Sequence, residues 1–154
     1  MLLAAVAAAM MAPLAVADTV EIAGNMQQST ENLGSYCGSV CYEFQGDGTG
    51  LLSITLKNRT DEEIGGFLTG FLFNINSDDP DASAEYQENA KYPDFEAASG
   101  SGEPFGDFDA GAALGGNFLG GGNPNGGVPV GAETTFEFIV TADDAETLTA
   151  LDFL

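Results

Sequence analysis

The sequence predicts an all-β protein, an antiparallel β-sandwich of the jelly-roll or immunoglobulin-like kind, and three observations support this. Residues 49–75 alternate apolar and polar side chains on both sides of a polar loop, which is the pattern of two half-buried strands. Residues 128–142 repeat the alternation, with Phe136, Phe138 and Val140 on one face. Clusters of Gly, Asn, Asp and Pro separate these stretches, so we expect about five to seven strands joined by turns. A half-barrel is the alternative architecture.

The predicted strands follow one another along the chain. A short strand around Val20 and Ile22 is followed by a second strand at residues 40–44. Gly46-Asp47-Gly48 is predicted to be a tight turn, because Gly and Asp tolerate positive φ. We expect residues 51–56 and residues 67–75 to form an antiparallel pair at the centre of the domain.

Residues 105–127 are rich in glycine and would read as a low-complexity linker on composition alone. Large apolar residues recur within this segment, however, which is not typical of a disordered linker. We therefore expect an ordered, Gly-rich loop that folds back on the core. The recurring apolar residues are Phe105, Phe108, Leu114, Phe118 and Leu119.

The end of the chain predicts a short helix. Asp143 and Asp144 are suited to cap its N-terminus, and Leu148 and Leu151 would lie on its inner face. The sequence ends on Phe153 and Leu154 without a polar tail, from which we expect a natural protein that continues further.

The first seventeen residues have the features of an export signal. Residues 2–17 carry no charge, and Ala15-Val16-Ala17 before Asp18 is the small-x-small pattern at which signal peptidase cleaves. The apolar run is shorter than the roughly 20 residues of a membrane span, and Pro13 interrupts it. We expect a signal peptide at residues 1–17 and one domain at residues 18–154, with a buried or membrane-anchoring helix as the alternative.

The charge balance restricts the partners. The chain has 24 acidic residues, three basic residues and a net charge of −21. Nucleic acid and anionic membrane surfaces would repel such a protein, so we expect neither as a partner. The mature chain is expected to have no membrane span.

The two cysteines, Cys37 and Cys41, lie close together in the sequence. In an exported chain the default expectation is a disulfide, which here would hold a local turn. Metal binding is the alternative, although two cysteines without any histidine make a poor zinc site.

Most catalytic chemistries lack their residues in this sequence. The absence of histidine excludes Ser-His-Asp and Cys-His nucleophilic catalysis, and no P-loop motif occurs. A pair of carboxylates could still serve a glycoside hydrolase, but 24 acidic residues provide such pairs by chance. We expect no enzyme and assign no catalytic residue.

Two turn-like clusters offer oxygen ligands of the kind that Ca²⁺ prefers. The first follows the predicted strand at residues 67–75, and the second lies beside Gly106. Neither has the spacing of an EF-hand, and Asn and Asp also favour turns without any metal. Calcium is thus a candidate cofactor, and its candidate ligands are Asn76, Asp78, Asp79, Asp81, Asp107 and Asp109.

Three segments resemble secreted bacterial surface proteins of the PEP-CTERM type. These segments are residues 64–74 (IGGFLTGFLFN), 108–125 (FDAGAALGGNFLGGGNPN) and 131–138 (GAETTFEF). The resemblance implies export, a β-rich ectodomain and a role at the cell surface or in the extracellular matrix, with no catalytic residue to transfer. The family's C-terminal sorting signal, a Pro-Glu-Pro followed by an apolar span and a basic tail, does not occur in this sequence.

These observations favour a non-catalytic secreted or cell-surface module with a structural or adhesive role. Its expected partners are extracellular polysaccharide or other surface proteins. The alternative function is a carbohydrate-binding module, with or without the assistance of calcium, and the minor alternative is the two-carboxylate hydrolase. The stacking candidates of a carbohydrate-binding module are Tyr36, Tyr42, Tyr86 and Tyr92.

Overall fold

The structure is a computed structural model that describes residues 17–25, 27, 34–116, 118 and 122–154. These residues form antiparallel strands and two short 3-10 helices, which confirms the predicted all-β, sandwich-like fold. The strands are β1 (Asp18–Gly24), β2 (Tyr36–Gly46), β3 (Thr49–Asn58), β4 (Phe67–Leu68), β5 (Gly70–Phe73), β6 (Ser83–Gln87), β7 (Phe95–Ala97), β8 (Gly100–Ser101), β9 (Asp107–Phe108), β10 (Ala110–Leu114), β11 (Val128–Pro129) and β12 (Glu133–Thr141). The 3-10 helices are Pro124–Gly126 and Ala150–Phe153.

The larger sheet has five strands in the order β1-β2-β3-β12-β6, and every pair in it is antiparallel. The predicted turn between β2 and β3 is present, with Gly46, Asp47 and Gly48 all at positive φ. Along β12 the residues alternate strictly between exposed and buried. The sheet therefore has one face that belongs to the core and one face that meets solvent.

The smaller sheet has three strands in the order β5-β10-β7 and covers the inner face of the larger sheet. Its Phe73 packs edge-on against Phe138 at 5.0 Å between ring centroids, and its Phe71 lies 4.9 Å from Phe136. Aromatic pairs at such distances add to the burial of apolar surface. The core thus lies between the two sheets.

The predicted central pair is divided between the two sheets, so its pairing was wrong. β3 pairs with β2 and β12, whereas the segment after it splits into β4 and β5. Gly65 and Gly66, both at positive φ, turn the chain away before β4. Phe71 and Phe73 then meet the core from the opposite layer. A period-two pattern identifies a half-buried strand but does not specify its partner.

The Gly-rich segment contains β10, which forms the middle of the smaller sheet. All five residues of β10 are buried. Gly111 is required there, because a Cβ atom at this position would collide with the carbonyl oxygen of Phe71 on the neighbouring strand. The described residues of this segment are ordered, as expected, but they form more than a loop. Leu119 lies outside the described residues.

The C-terminal helix is shorter and later than predicted. Residues 143–147 form turns, and a 3-10 helix follows at Ala150–Phe153. Asp152, rather than Asp143 or Asp144, bonds the helix start, because its carboxylate accepts from the amide and the hydroxyl of Thr149. Phe153 is buried beside Tyr42 at 5.2 Å between centroids, so this helix closes one end of the core.

The predicted disulfide between Cys37 and Cys41 is wrong, because both cysteines are free. Both lie in β2, where a separation of four residues in extended backbone corresponds to about 13 Å. A disulfide requires Cα atoms within about 7 Å. The segment between the two cysteines is a regular strand and not the local turn that a disulfide would have held, and both cysteines lie on the outward side of the sheet.

The predicted signal peptide lies outside the described residues except for Ala17, and β1 begins at the next residue. Within the described part of the chain, no helix has the length and apolar character needed to cross a membrane.

Candidate binding face

The outer face of the larger sheet lies on the side away from the smaller sheet, and in the described part of the chain its residues are exposed on β12 and half-buried on β2 and β3. The smaller sheet packs on the opposite side, and the outward residues of β12 are all exposed. We call this surface the outer face. Its side chains are mainly hydroxyls and carboxylates: Thr19, Glu21, Ser39, Glu43, Ser53, Thr55, Lys57, Glu133, Thr135, Glu137, Thr141, Ser83, Glu85 and Gln87, with Ala23, Cys37, Cys41, Leu51 and Ile139 between them.

The strand register aligns these side chains in rows across the sheet. One row contains Ser39, Thr55 and Thr135, and the hydroxyls of the last two share a hydrogen bond of 2.8 Å. Another row joins Cys37, Lys57 and Glu133 at the end of the sheet. Neighbouring strands lie about 4.8 Å apart, so the rows form a regular polar surface.

A hollow with a volume of about 560 Å³ opens at the Lys57 end of the outer face. Cys37, Lys57 and Val130 line it together with the segment that follows β3. We call it the first hollow. That segment contributes Arg59 and Thr60 as well as two acidic residues, Asp61 and Glu62.

The floor of the first hollow is held by buried hydrogen bonds. Asn58 is 1 % exposed and donates through Nδ2 to the carbonyl oxygens of Val128 (3.0 Å) and Gly66 (3.3 Å). Its Oδ1 accepts from the amide of Thr60, which is itself buried. Buried polar groups that are fully paired give a rigid framework. The triplet Asn58-Arg59-Thr60 matches the Asn-x-Ser/Thr pattern of N-glycosylation, but the side-chain amide of Asn58 is buried.

Arg59 lies between these two buried residues with its own side chain exposed. Ser35 fixes its backbone from both sides: the Arg59 amide donates to the Ser35 carbonyl oxygen (2.9 Å), and the Ser35 hydroxyl donates to the Arg59 carbonyl oxygen (2.8 Å). The backbone of Arg59 is therefore positioned at the edge of the hollow, while its side chain is exposed.

A second hollow of about 290 Å³ lies beside the first across β12. Its lining includes Gln87, Asn89, Lys91, Thr135 and Glu137. Lys91 Nζ donates to the carbonyl oxygen of Glu133 at 2.8 Å, and Glu133 is the cross-strand partner of Lys57. All three basic residues of the chain therefore lie at one end of the larger sheet, which we call the basic end.

The first group of calcium candidates lies at the opposite end of β12, which we call the acidic end. There the carboxylates bind backbone amides. Asp79 accepts from the amides of Asp81 (2.9 Å) and Asp143 (2.8 Å). Asp144 accepts from the Ser77 hydroxyl and the Asp78 amide, and these hydrogen bonds hold the pKa of its carboxyl below the ordinary value.

The candidate ligands do not converge. Asn76 bonds to Asp152 through its side chain, and Asp109 accepts from the amide of Ile75. Asp107 pairs with Ser101 in the β8–β9 ribbon. Among the described residues, no group of three or more His, Cys, Asp or Glu side chains is arranged to hold a metal ion.

The four tyrosines are not available as a stacking platform on the outer face. Tyr42 is 2 % exposed, and burial, with a further contribution from the nearby Asp144, raises its pKa to about 12. Tyr86 packs against Phe136 and Phe138 in the core, and burial raises its pKa as well. Tyr92 packs against the buried Phe95. Tyr36 is the most exposed, but its ring lies over Gly24.

Reasoning from the sequence overlooked the basic end. Lys57, Arg59 and Lys91 were counted but not placed, although Lys57 and Arg59 are separated by only one residue in a chain with three basic residues. That spacing was the available signal.

In comparisons with known proteins, no protein-family model, no curated protein and no solved structure matches this chain.

Proposed function

We propose that this protein is a non-catalytic module of the bacterial cell surface or extracellular matrix, with a structural or adhesive role. The observation that carries the proposal is the outer face: a five-stranded surface of hydroxyls and carboxylates, turned away from the smaller sheet, that adjoins both hollows. The export signal and the PEP-CTERM resemblance in the sequence support the same location.

The architecture favours binding along an extended surface over chemistry in a cleft. Both hollows open to solvent, and their polar groups are spread over four strands and two loops. An extended polymer can contact many such groups at once, and weak contacts then add by multivalency. Thr135 lines the second hollow and shares a hydrogen bond with Thr55, which lies on β3 two residues before Lys57 of the first hollow.

A carbohydrate-binding module is the second candidate, because the second hollow contains planar polar groups. Gln87 and Glu137 offer an amide and a carboxylate of the type that orients sugar hydroxyls, whereas the buried Asn89 bonds Thr134, Thr135 and the amides of Lys91 and Tyr92 and so fixes the floor of this hollow. In a calcium-assisted version, the exposed carboxylates of Asp78 and Asp81 would bind Ca²⁺ at the acidic end, at the opposite end of β12 from the second hollow, so the ion would stabilise the module without contacting the sugar. Titration calorimetry with Ca²⁺ tests that version, and heat that disappears in the Asp78→Asn, Asp81→Asn double variant would support it.

A bulky substitution at the middle of the outer face tests the proposal. Ser53 lies between Cys41 and Glu137 in its row, so Ser53→Trp would obstruct the face without entering the core. Ala97→Trp adds the same side chain at an exposed position of the smaller sheet and is the matched control. We expect Ser53→Trp, but not Ala97→Trp, to reduce retention on extracellular matrix prepared from the source bacterium.

The outcomes separate the candidate functions. Equal retention of the two variants would contradict binding through the outer face. A glycan array that shows sugar binding by the wild type and its loss in Ser53→Trp would favour the carbohydrate-binding module, and a blank array would favour protein partners. New reducing ends released from a bound polysaccharide would contradict a non-catalytic role and favour the two-carboxylate hydrolase.

A further inference from the structure

The three basic residues would be expected to form ion pairs with carboxylates. The chain has 24 carboxylates, so each basic residue has many potential partners. In the described part of the chain, however, no carboxylate forms an ion pair with Lys57 or Arg59. Lys91 instead donates to a backbone carbonyl oxygen and lies 5.3 Å from the centre of the Tyr92 ring. The positive charges at the basic end are thus not neutralised by direct contact.

We infer that the first hollow binds a carboxylate or sulfate group of an acidic saccharide through Arg59 and Lys57. This inference rests on the proposed function and specifies the ligand class at that face. Arg59 presents a planar guanidinium that can hold an oxyanion with two parallel hydrogen bonds, and Lys57 adds a mobile point charge. The carboxyl or sulfate group enters the hollow while the sugar ring lies against the outer face.

The site is built before any ligand arrives. The buried Asn58 and Thr60 fix the backbone on both sides of Arg59, and Ser35 fixes its amide and carbonyl groups. Because the backbone is already ordered, binding restricts only the side chains of Arg59 and Lys57. Preorganisation of this kind lowers the entropic cost of binding.

The net charge of −21 does not exclude an anionic ligand at this position. Salt screens charges over about 8 Å at physiological ionic strength, so the carboxylates at the acidic end contribute little here. Asp61 and Glu62 line the same hollow and Glu133 lies opposite Lys57, so the hollow has no net positive charge and binding depends on the directed hydrogen bonds of Arg59 and Lys57. The hollow therefore suits one anionic group at a time, and we expect binding to be strongest near physiological salt and weaker both below and well above it.

The test uses NMR titration of the full chain with trigalacturonate, neutral maltotriose and inorganic sulfate at about 0.15 M salt. We expect trigalacturonate to shift the amide signals of residues 57–62 and Gly131, with maltotriose at least about tenfold weaker. Sulfate should shift the same signals more weakly and compete with trigalacturonate. Sulfate binding as tight as that of trigalacturonate would contradict a saccharide site, because the sugar ring would then contribute nothing.

Matched variants test whether the positive charge of Arg59 is the one that binds trigalacturonate. Arg59→Gln should weaken trigalacturonate binding at least about tenfold, and Arg59→Lys should retain part of the affinity. Gln45→Glu makes the same change in net charge at an exposed position near the other end of β2, outside both hollows, and should leave the affinity within about twofold. Equal losses in Arg59→Gln and Gln45→Glu, or equal affinity for maltotriose, would overturn the inference. Failure here with loss of matrix retention in Ser53→Trp would leave the proposed function standing.

Discussion

The two ends of the larger sheet use charge in opposite ways. At the acidic end, Asp79 and Asp144 accept hydrogen bonds from backbone amides and from Ser77, and so join the loop after β5 to the loop after β12. At the basic end, Lys57 and Arg59 have no ion pair within the described part of the chain. The carboxylates at the acidic end are thus hydrogen-bonded within the protein, whereas the cations at the basic end remain available to a ligand.

The difference shows how a charged residue can be assigned to structure or to function. A carboxylate that accepts backbone amides replaces water in the folded state, and its removal leaves donors unpaired. An unpaired surface cation contributes little to stability. The acidic end therefore should respond to substitution through the free energy of unfolding, and the basic end through binding.

The largest expected effect concerns the floor beneath the first hollow. Asn58→Ala removes the partners of two carbonyl oxygens and one amide in a buried position, so it should lower the free energy of unfolding by about 3 kcal/mol. Urea denaturation measures this change. A loss below about 1 kcal/mol would show that water replaces the missing bonds and that the floor is not rigid.

A smaller loss is expected at the acidic end. Asp79→Ala leaves the amides of Asp81 and Asp143 without their acceptor and should cost about 1–2 kcal/mol of unfolding free energy. Asp79→Asn keeps one acceptor oxygen and should lose about half as much. Thermal denaturation in the presence and absence of Ca²⁺ checks both. A full recovery of Asp79→Ala by calcium would contradict a purely structural role for this loop.

The pH dependence of stability should report on Asp144. Its pKa in the folded protein is below the ordinary value of 3.8, because the Ser77 hydroxyl and the Asp78 amide bond the ionised form. A lowered folded pKa stabilises the protein above the unfolded pKa, and this contribution is lost as the pH falls through the folded pKa. The urea midpoint of the wild type should therefore fall more steeply in acid than that of Asp144→Asn. Parallel curves would contradict the assignment.

The smallest effect on stability is expected at the basic end. The Lys57→Gln, Arg59→Gln double variant removes one half-buried and one exposed positive charge and should change the unfolding free energy by less than about 0.5 kcal/mol. The same variant should lose trigalacturonate binding. A stability loss comparable to that of Asp79→Ala would show that these cations serve the fold and would remove the contrast between the ends.

The sequence predicted the strands better than their partners. Alternation located β3 and β12 because one face of each is buried, but the pairing of β3 with β2 and β12 depends on contacts distant in the chain. β10 was missed because Ala and Gly fill a crowded middle strand and leave no alternation to read. The disulfide failed because sequence proximity does not distinguish a turn from a strand.

The candidate site was predictable only in part. The sequence indicated an exported surface module, yet it directed attention to Asp and Asn clusters, which in the structure bond the backbone. The three basic residues become neighbours only when β3, β12 and the loop after β6 are assembled. Because this cluster of basic residues forms only in the folded protein, the spacing of the residues along the sequence does not reveal it.

Hydrogen exchange of the protein with and without bound matrix material compares the two ends in one measurement. We expect slower exchange at residues 57–62 and 87–91, which line the two hollows, and unchanged exchange at residues 76–82 and 142–149. Protection confined to the acidic end, or no protection anywhere while the material remains bound, would contradict binding through the outer face.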